Sequence, residues 1–338
     1  MRRASLFAAA ALSLLSACVL ITGVGDLEID SESDAGRTDA TAANDDASLD
    51  GGGPIGNDAS PDVAPIDAGF DACAPSTDIS TDPKHCGRCN HDCLGATCEV
   101  GRCGVVKVIE GLPQRGGLAI AAGKIFVSML GSIRRFEMDG GSPVDVVNAV
   151  SPGYLAADAT FLYFVDGADD SVKRWPLAGG VAEPVVTNAS ASGIAVSATH
   201  LYFTHYQFDG GVERIQLDGS NRQLVFEPYS HPEDVEYAPG EIIVGGDGVN
   251  ELAAFANEGF GAKPVLSSGG GPCTFAVKDG QVFFGEQQTR KVMRVPVAGG
   301  AKEELASDAG VQVGVAVTND AVYWREYTND GSIWRVAR

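Results

Sequence analysis

Six times between positions 118 and 324 the chain sets down an apolar anchor and, seven residues later, an apolar or aromatic couple. The anchors are Leu118, Leu155, Ile194, Val235, Phe275 and Val315, at intervals of 37, 39, 41, 40 and 40 residues. The couples are Ile125-Phe126, Leu162-Tyr163, Leu201-Tyr202, Ile242-Ile243, Val282-Phe283 and Val322-Tyr323. Short apolar runs at a period near forty predict one four-stranded blade per repeat. The expected fold is therefore all-β, a six-bladed β-propeller over 104–338.

The second repeat shows the plan of a blade. Its strands read Leu155-Ala156-Ala157, Leu162-Tyr163-Phe164-Val165, Val172-Lys173-Arg174-Trp175 and Glu183-Pro184-Val185-Val186, with Gly179-Gly180 turning the last pair. Glycine supplies the positive φ that tight hairpins need. The sixth repeat has only three such strands. The run Val105-Val106-Lys107-Val108-Ile109 stands before the first anchor, where a fourth would fall. Pairing it with the last repeat would close the ring, remove an exposed edge and set the preceding segment beside the seam. An arginine recurs in the third strand as Arg135, Arg174, Arg214, Arg294 and Arg335, with Ala254 in the fourth repeat. That recurrence predicts guanidinium bridges to a neighbouring blade's carboxylates or carbonyls.

The N-terminus sets the expected address. Arg2 and Arg3 precede an apolar run over 4–15, too short to span a bilayer but right for a signal segment. It ends in Leu15-Ser16-Ala17-Cys18, which resembles the lipobox of bacterial lipoproteins. The resemblance implies a signal peptide over 1–17 and a lipid on Cys18. With Val19 next, it also implies outer-membrane delivery, facing the periplasm or the exterior. Residues 26–71 hold thirteen acids and one base with almost no large apolar side chain. Such a stretch cannot offset its ordering entropy, so 18–71 reads as a disordered acidic linker. The chain's formal charge is −21, of which that stretch supplies −12 and the propeller −10. Nucleic acid, which demands a basic footprint, is excluded as a partner.

Six of the eight cysteines, Cys73, Cys86, Cys89, Cys93, Cys98 and Cys103, crowd into 72–103. In an exported chain that density predicts a disulfide-stapled module, whose fifteen possible pairings the spacing does not resolve. A thiol-exchange reading of Cys86-Gly87-Arg88-Cys89 lacks a βαβ context, and a zinc reading with His85 and His91 is opposed by the oxidising compartment. The run Asp82-Pro83-Lys84-His85-Cys86-Gly87-Arg88-Cys89, with Cys93, Cys98, Gly101 and Cys103, resembles the stigma-specific cysteine-rich repeat. That implies a structural or interaction role. Cys273, alone in the propeller, is expected to be a buried free thiol, the alternative being a disulfide tie to the cysteine module.

In a propeller, the loops between second and third strands share one face with the loops between blades. Here that face gathers Tyr154, Asp166, His205, Tyr206, Tyr229, His231, Asp234, Glu286 and Glu326, together with Arg115 and Phe208. Aromatic and histidine side chains on rigidly mounted loops predict a recognition surface. Asp166-x-x-Asp169-Asp170 offers carboxylates for Ca²⁺, the one ion with a candidate loop here; no cofactor motif is found. The fourth repeat is the odd one. At the second position of its inner strand it has Glu236, where the others have Ala119, Ala156, Ala195, Ala276 and Ala316. Asp234 lies two residues away on the same side of the strand, a candidate polar or metal site at the channel mouth.

The segments Tyr163-Phe164-Val165-Asp166, Tyr202-Phe203-Thr204-His205 and Tyr323-Trp324-Arg325-Glu326 resemble the YWTD propellers of lipoprotein-receptor ectodomains, with the acid kept as Asp166, Glu286 and Glu326. The resemblance implies a non-catalytic binding or scaffolding domain for a protein, a glycan or an envelope component. The alternative is a metal-dependent enzyme resembling the lactonase and streptogramin-lyase propellers. Against it, the inner strands start at Gly117, Tyr154, Gly193, Asp234, Thr274 and Gly314, a ring with one acid.

Overall fold

A computed structural model describes residues 77–338, except 114–115, 149, 247–249, 257–261 and 328–330; the side chains of 262–264 are also left undescribed. The expected signal peptide and linker, with Cys18 and Cys73, lie outside the described residues, as does Arg115.

The ring has six four-stranded antiparallel sheets, and five of them run in chain order from the innermost strand outward. The sixth is completed from the other end of the domain. Its outer strand is Val106–Ile109, paired with Ser332–Ala337 so that Val106 faces Arg335 and Ile109 faces Ile333. The closing strand expected from the sequence is thus in place, and the last blade has no bare edge on that side.

The couples explain why a ring forms. Successive side chains of a strand point to opposite faces, so each couple gives one member to each neighbouring interface. Ile125 packs toward blade six and Phe126 toward blade two; Leu162 packs toward blade one and Tyr163 toward blade three. The same division runs through Leu201-Tyr202, Ile242-Ile243, Val282-Phe283 and Val322-Tyr323. Six wedge-shaped cores result, one between each pair of blades. Each fully buried aliphatic or aromatic side chain contributes about 1.5–3 kcal/mol, and no blade can bury its couple without both neighbours.

The recurrent arginines meet the expectation in part. Arg174 and Arg294 donate to Glu183 and Glu303, and Arg214 to Gln223, each on the outer strand of the same blade. Of these three, Arg174 also reaches the next blade, at Leu217 O (2.8 Å). The third and fourth strands place these positions directly opposite one another, so the nearest acceptor wins. The most deeply buried arginine that stitches blades is Arg325. It is 0% exposed and donates to the carbonyls of Pro113 (2.5 Å) and Ser128 (3.1 Å) across the seam.

In the module, Cys98–Glu99 and Arg102–Cys103 form a two-stranded ribbon crossed by the disulfides Cys86–Cys98 and Cys93–Cys103. It sits at the seam: Arg335 donates to Leu94 O (2.8 Å) and Arg88 to Arg338 O (2.9 Å). No described cysteine is free. Cys89 and Cys273 are disulfide-bonded too. The free thiol expected at Cys273 is therefore corrected, and disulfides leave no thiolate for the zinc or thiol-exchange readings.

Candidate functional site

The inner strands Leu118–Ala121, Pro152–Ala157, Ile194–Val196, Pro232–Ala238, Phe275–Lys278 and Gln312–Val317 surround the central channel. Small residues at the ring positions let them converge. A Cβ on Gly193 would lie 2.6 Å from the Asp234 Cα, and one on Gly117 would lie 2.7 Å from Gly153 O. Deeper in, Ala119, Ala156, Ala276 and Ala316 line a chamber of about 140 Å³ with Leu118, Leu155 and Val315. One carboxylate enters this apolar wall, that of Glu236.

Toward the face carrying the blade-connecting loops, the channel narrows to a throat of about 20 Å³. Tyr154, Asp234, Glu236 and Thr274 line it among apolar neighbours. Asp234 is 7% exposed, and its carboxylate accepts from the backbone N–H of Val235 (2.9 Å) and, at 3.4 Å, of Phe275. Burial first, and then the charge of Glu236, hold its pKa well above the ordinary carboxylate range. Burial alone lifts Glu236 to about 8. Among the described residues no lysine, arginine or histidine contributes to either shift. Glu233, also buried, turns to Tyr154, whose hydroxyl donates to Oε1 at 3.0 Å. Across the throat, Thr274 is 4% exposed, and its hydroxyl has no hydrogen-bond partner among the described residues. The structure thus brings Asp234, Glu236 and Tyr154 together and adds Thr274. The sequence marks Thr274 only as a ring position.

Other expected face residues prove to be internal. Asp166 is fully buried and accepts from Ser151 N (2.8 Å), Ala168 N (3.1 Å) and Lys173 Nζ (2.7 Å). Glu286 is buried against Lys302 and accepts from Thr289 Oγ1 (2.9 Å); Glu326 accepts from Trp334 Nε1 (2.8 Å). The recurring acid caps the loops of its own blade, because the strand's end leaves backbone and side-chain donors unpaired there. Tyr229 packs on Phe226 and Phe255 rather than facing outward. The Ca²⁺ candidate at Asp166 and Asp169 already has a cation: Lys173 Nζ is 2.7 Å from both carboxylates.

What stays outward is a group at the junction of blades three and four. His231, held at a positive φ of 48°, stacks near Tyr206 (5.0 Å between centroids) and Phe208 (6.2 Å). Phe208 is 73% exposed. His205, beside Tyr206 in sequence, packs on Phe203 with Nε2 3.1 Å from Glu213.

No family model and no curated protein matches this chain. Solved structures do. A chain of the nidogen/laminin complex aligns at 16% identity and TM-score 0.53, over 59% of this chain and 83% of that one. The aldose sugar dehydrogenase of Streptomyces coelicolor, solved with bound PQQ, aligns at 15% identity and TM-score 0.57, over 70% and 98%. A putative glucose dehydrogenase from Thermus thermophilus aligns at 17% identity and TM-score 0.54, over 69% and 99%. Partners this distant, one from a matrix complex and two oxidoreductases, share the propeller fold and nothing finer with this chain.

Proposed function

We propose that this chain is a lipid-anchored envelope protein of the YWTD-like type, facing the periplasm or exterior, whose propeller binds a protein, glycan or envelope component without catalysing a reaction. The observation that carries the reading is the outward aromatic group in which Phe208 is exposed and Tyr206 and His231, half-buried, support it. Large flat side chains left in water at rigid loop bases are the residues that dominate binding hot spots. The fold likeness to a chain of the nidogen/laminin complex supports a recognition role; the likeness to two dehydrogenases weighs the other way.

The test is binding of the purified protein to cell-wall sacculi, outer-membrane vesicles and a glycan array. The double variant Tyr206→Ala/Phe208→Ala is expected to bind roughly tenfold less tightly or worse. Equal binding by the double variant, or none by the wild type, removes the reading. For the anchor, Cys18→Ala is expected to move the protein into the soluble fraction; retention in salt-washed membranes would refute it. The second reading, a metal-dependent lactonase- or lyase-like enzyme, draws on the acids of the throat. Turnover of a lactone that a chelator abolishes would favour it.

A further inference from the structure

We propose that the channel throat is a binding site for one divalent cation of the Ca²⁺ class, held by the carboxylates of Asp234 and Glu236 and the hydroxyl of Thr274. The inference stands apart from the binding-face reading and shares no residue with it.

The first support is the charge ledger of the site. Two carboxylates enter a channel whose other side chains are mostly apolar, and among the described residues no cationic side chain acts on either. Elsewhere in this propeller two buried acids have a cation, Asp166 with Lys173 and Glu286 with Lys302, and a third, Glu233, has the Tyr154 hydroxyl. Burying an unpaired charge is costly enough that proteins neutralise it by a partner, a metal or a proton. Two negative charges call for a divalent ion.

The second support is independent of the acids. Thr274 lines the same throat from the next blade, and its buried hydroxyl has no hydrogen-bond partner among the described residues. A buried hydroxyl left unmatched carries a penalty of about 1–3 kcal/mol. An ion in the throat would use that oxygen lone pair.

Volume and donor chemistry narrow the ion. About 20 Å³ of free space accommodates one ion or water, and the chamber of about 140 Å³ behind it has room for waters completing the coordination. The donors are all oxygen, which selects a hard cation. Ca²⁺ tolerates an irregular set of carboxylate, hydroxyl and water ligands, whereas Mg²⁺ demands near-octahedral geometry and gives up water reluctantly. With only two charged ligands the affinity belongs to the weak range of extracellular Ca²⁺ modules, a Kd of about 10⁻⁴–10⁻³ M. Glu233 is not counted as a ligand, because Tyr154 already holds it.

The experiment uses the full chain with disulfides intact, stripped with EDTA, dialysed and titrated with CaCl₂ by calorimetry near pH 8. Melting curves are recorded with and without about 10 mM Ca²⁺. One site is expected, with Tm raised by a few degrees and Mg²⁺ binding more weakly. Asp234→Asn is expected to lower the affinity at least tenfold and remove the Tm shift. In EDTA it should melt no lower than wild type, since it removes a buried charge. Thr274→Val, which replaces an unmatched hydroxyl by a methyl and so folds without penalty, is expected to weaken Ca²⁺ severalfold and decides the matter if Asp234→Asn does not fold. Asp170→Asn, in the loop whose neighbouring acids are already paired with Lys173, is expected to leave binding unchanged. No heat and no Tm shift in the wild type would overturn the proposal, as a carboxylate pair that merely shares a proton would give. Full binding by Asp234→Asn or Thr274→Val, or its loss in Asp170→Asn, would overturn it too.

Discussion

At the seam between blades six and one, and at the throat beside blade four, this propeller buries charge in opposite ways. Arg325 is sealed among carbonyl oxygens of Pro113, Ser128 and, at 3.5 Å, Gly117. Burial lowers its pKa to about 10, which leaves it charged at neutral pH. Its charge is used up in holding the ring shut. Asp234 and the half-buried Glu236 line the channel without such company: Asp234 has two backbone N–H groups, Glu236 has that of Tyr237, and among the described residues neither acid has a cation. A buried charge whose terminal N–H groups are held by the fold's own carbonyls belongs to the fold, even with Arg325 Nε left unmatched among the described residues. One that stays unmatched leaves room for something brought from outside.

Five measurements would break or sharpen that contrast. Deleting 105–109 removes the outer strand of the seam blade and should abolish cooperative folding; a shortened protein that melts like the whole would show that closure is dispensable. Arg325→Met should cost about 3 kcal/mol, because it strips donors from buried carbonyls, and denaturant unfolding reads the loss. An unchanged midpoint would mean the seam charge is idle. At the throat the sign reverses. In chelator near pH 8, Glu236→Gln should stabilise the protein by about 1 kcal/mol, since it removes an unpaired buried charge.

The pH dependence follows the same sign. Asp234 and Glu236 have folded pKa values above their ordinary 3.8 and 4.5, Glu236 at about 8. The folded state therefore binds protons more tightly than the unfolded one. The stability this gives is complete below about pH 4 and is lost as pH rises through about 8. In chelator, Tm should fall over that interval, and the fall should be smaller with Ca²⁺ present or in Glu236→Gln; a flat profile in the chelated wild type would contradict the shifts. The smallest effect belongs to the exposed face. Phe208→Ala should move stability by less than about 0.5 kcal/mol, so that any loss of binding it causes is a loss of contact and not of fold.

The fold was legible because its code is repeated. An apolar couple at each interface is written six times, and a blade one strand short with a spare strand upstream has one economical closure. The seam arginine was hidden by standing once. It occupies the position three residues after the first member of the couple, where the other blades have Ser128, Val165, Thr204, Gly245 and Gly285. A long cation in a column of small residues was the available signal. The acids at 166, 286 and 326 misled for the opposite reason: proximity to a face in sequence says nothing about which way a carboxylate turns, and local donors took all three. Glu236 was legible because it broke an alanine column. Its unmatched neighbour Thr274 was not, since an orphaned hydroxyl is a property of its surroundings. Cys273 was misread because a disulfide to a cysteine far away in the chain leaves no mark on local spacing.

The closing strand also sets an order in time. Val106 emerges early during synthesis or export, yet its partner Arg335 follows 229 residues later. Every other blade pairs strands that are neighbours in sequence, so each can form as soon as it is made. The last sheet must wait. Bringing its two ends together carries the loop-closure entropy of nearly the whole domain, and long-range pairing of this kind is slow. Until Ser332–Ala337 arrives, the apolar wedge between the first and last blades stays open to water. A chaperone that meets this protein before its last strand is made meets a nearly finished ring with a single wet gap.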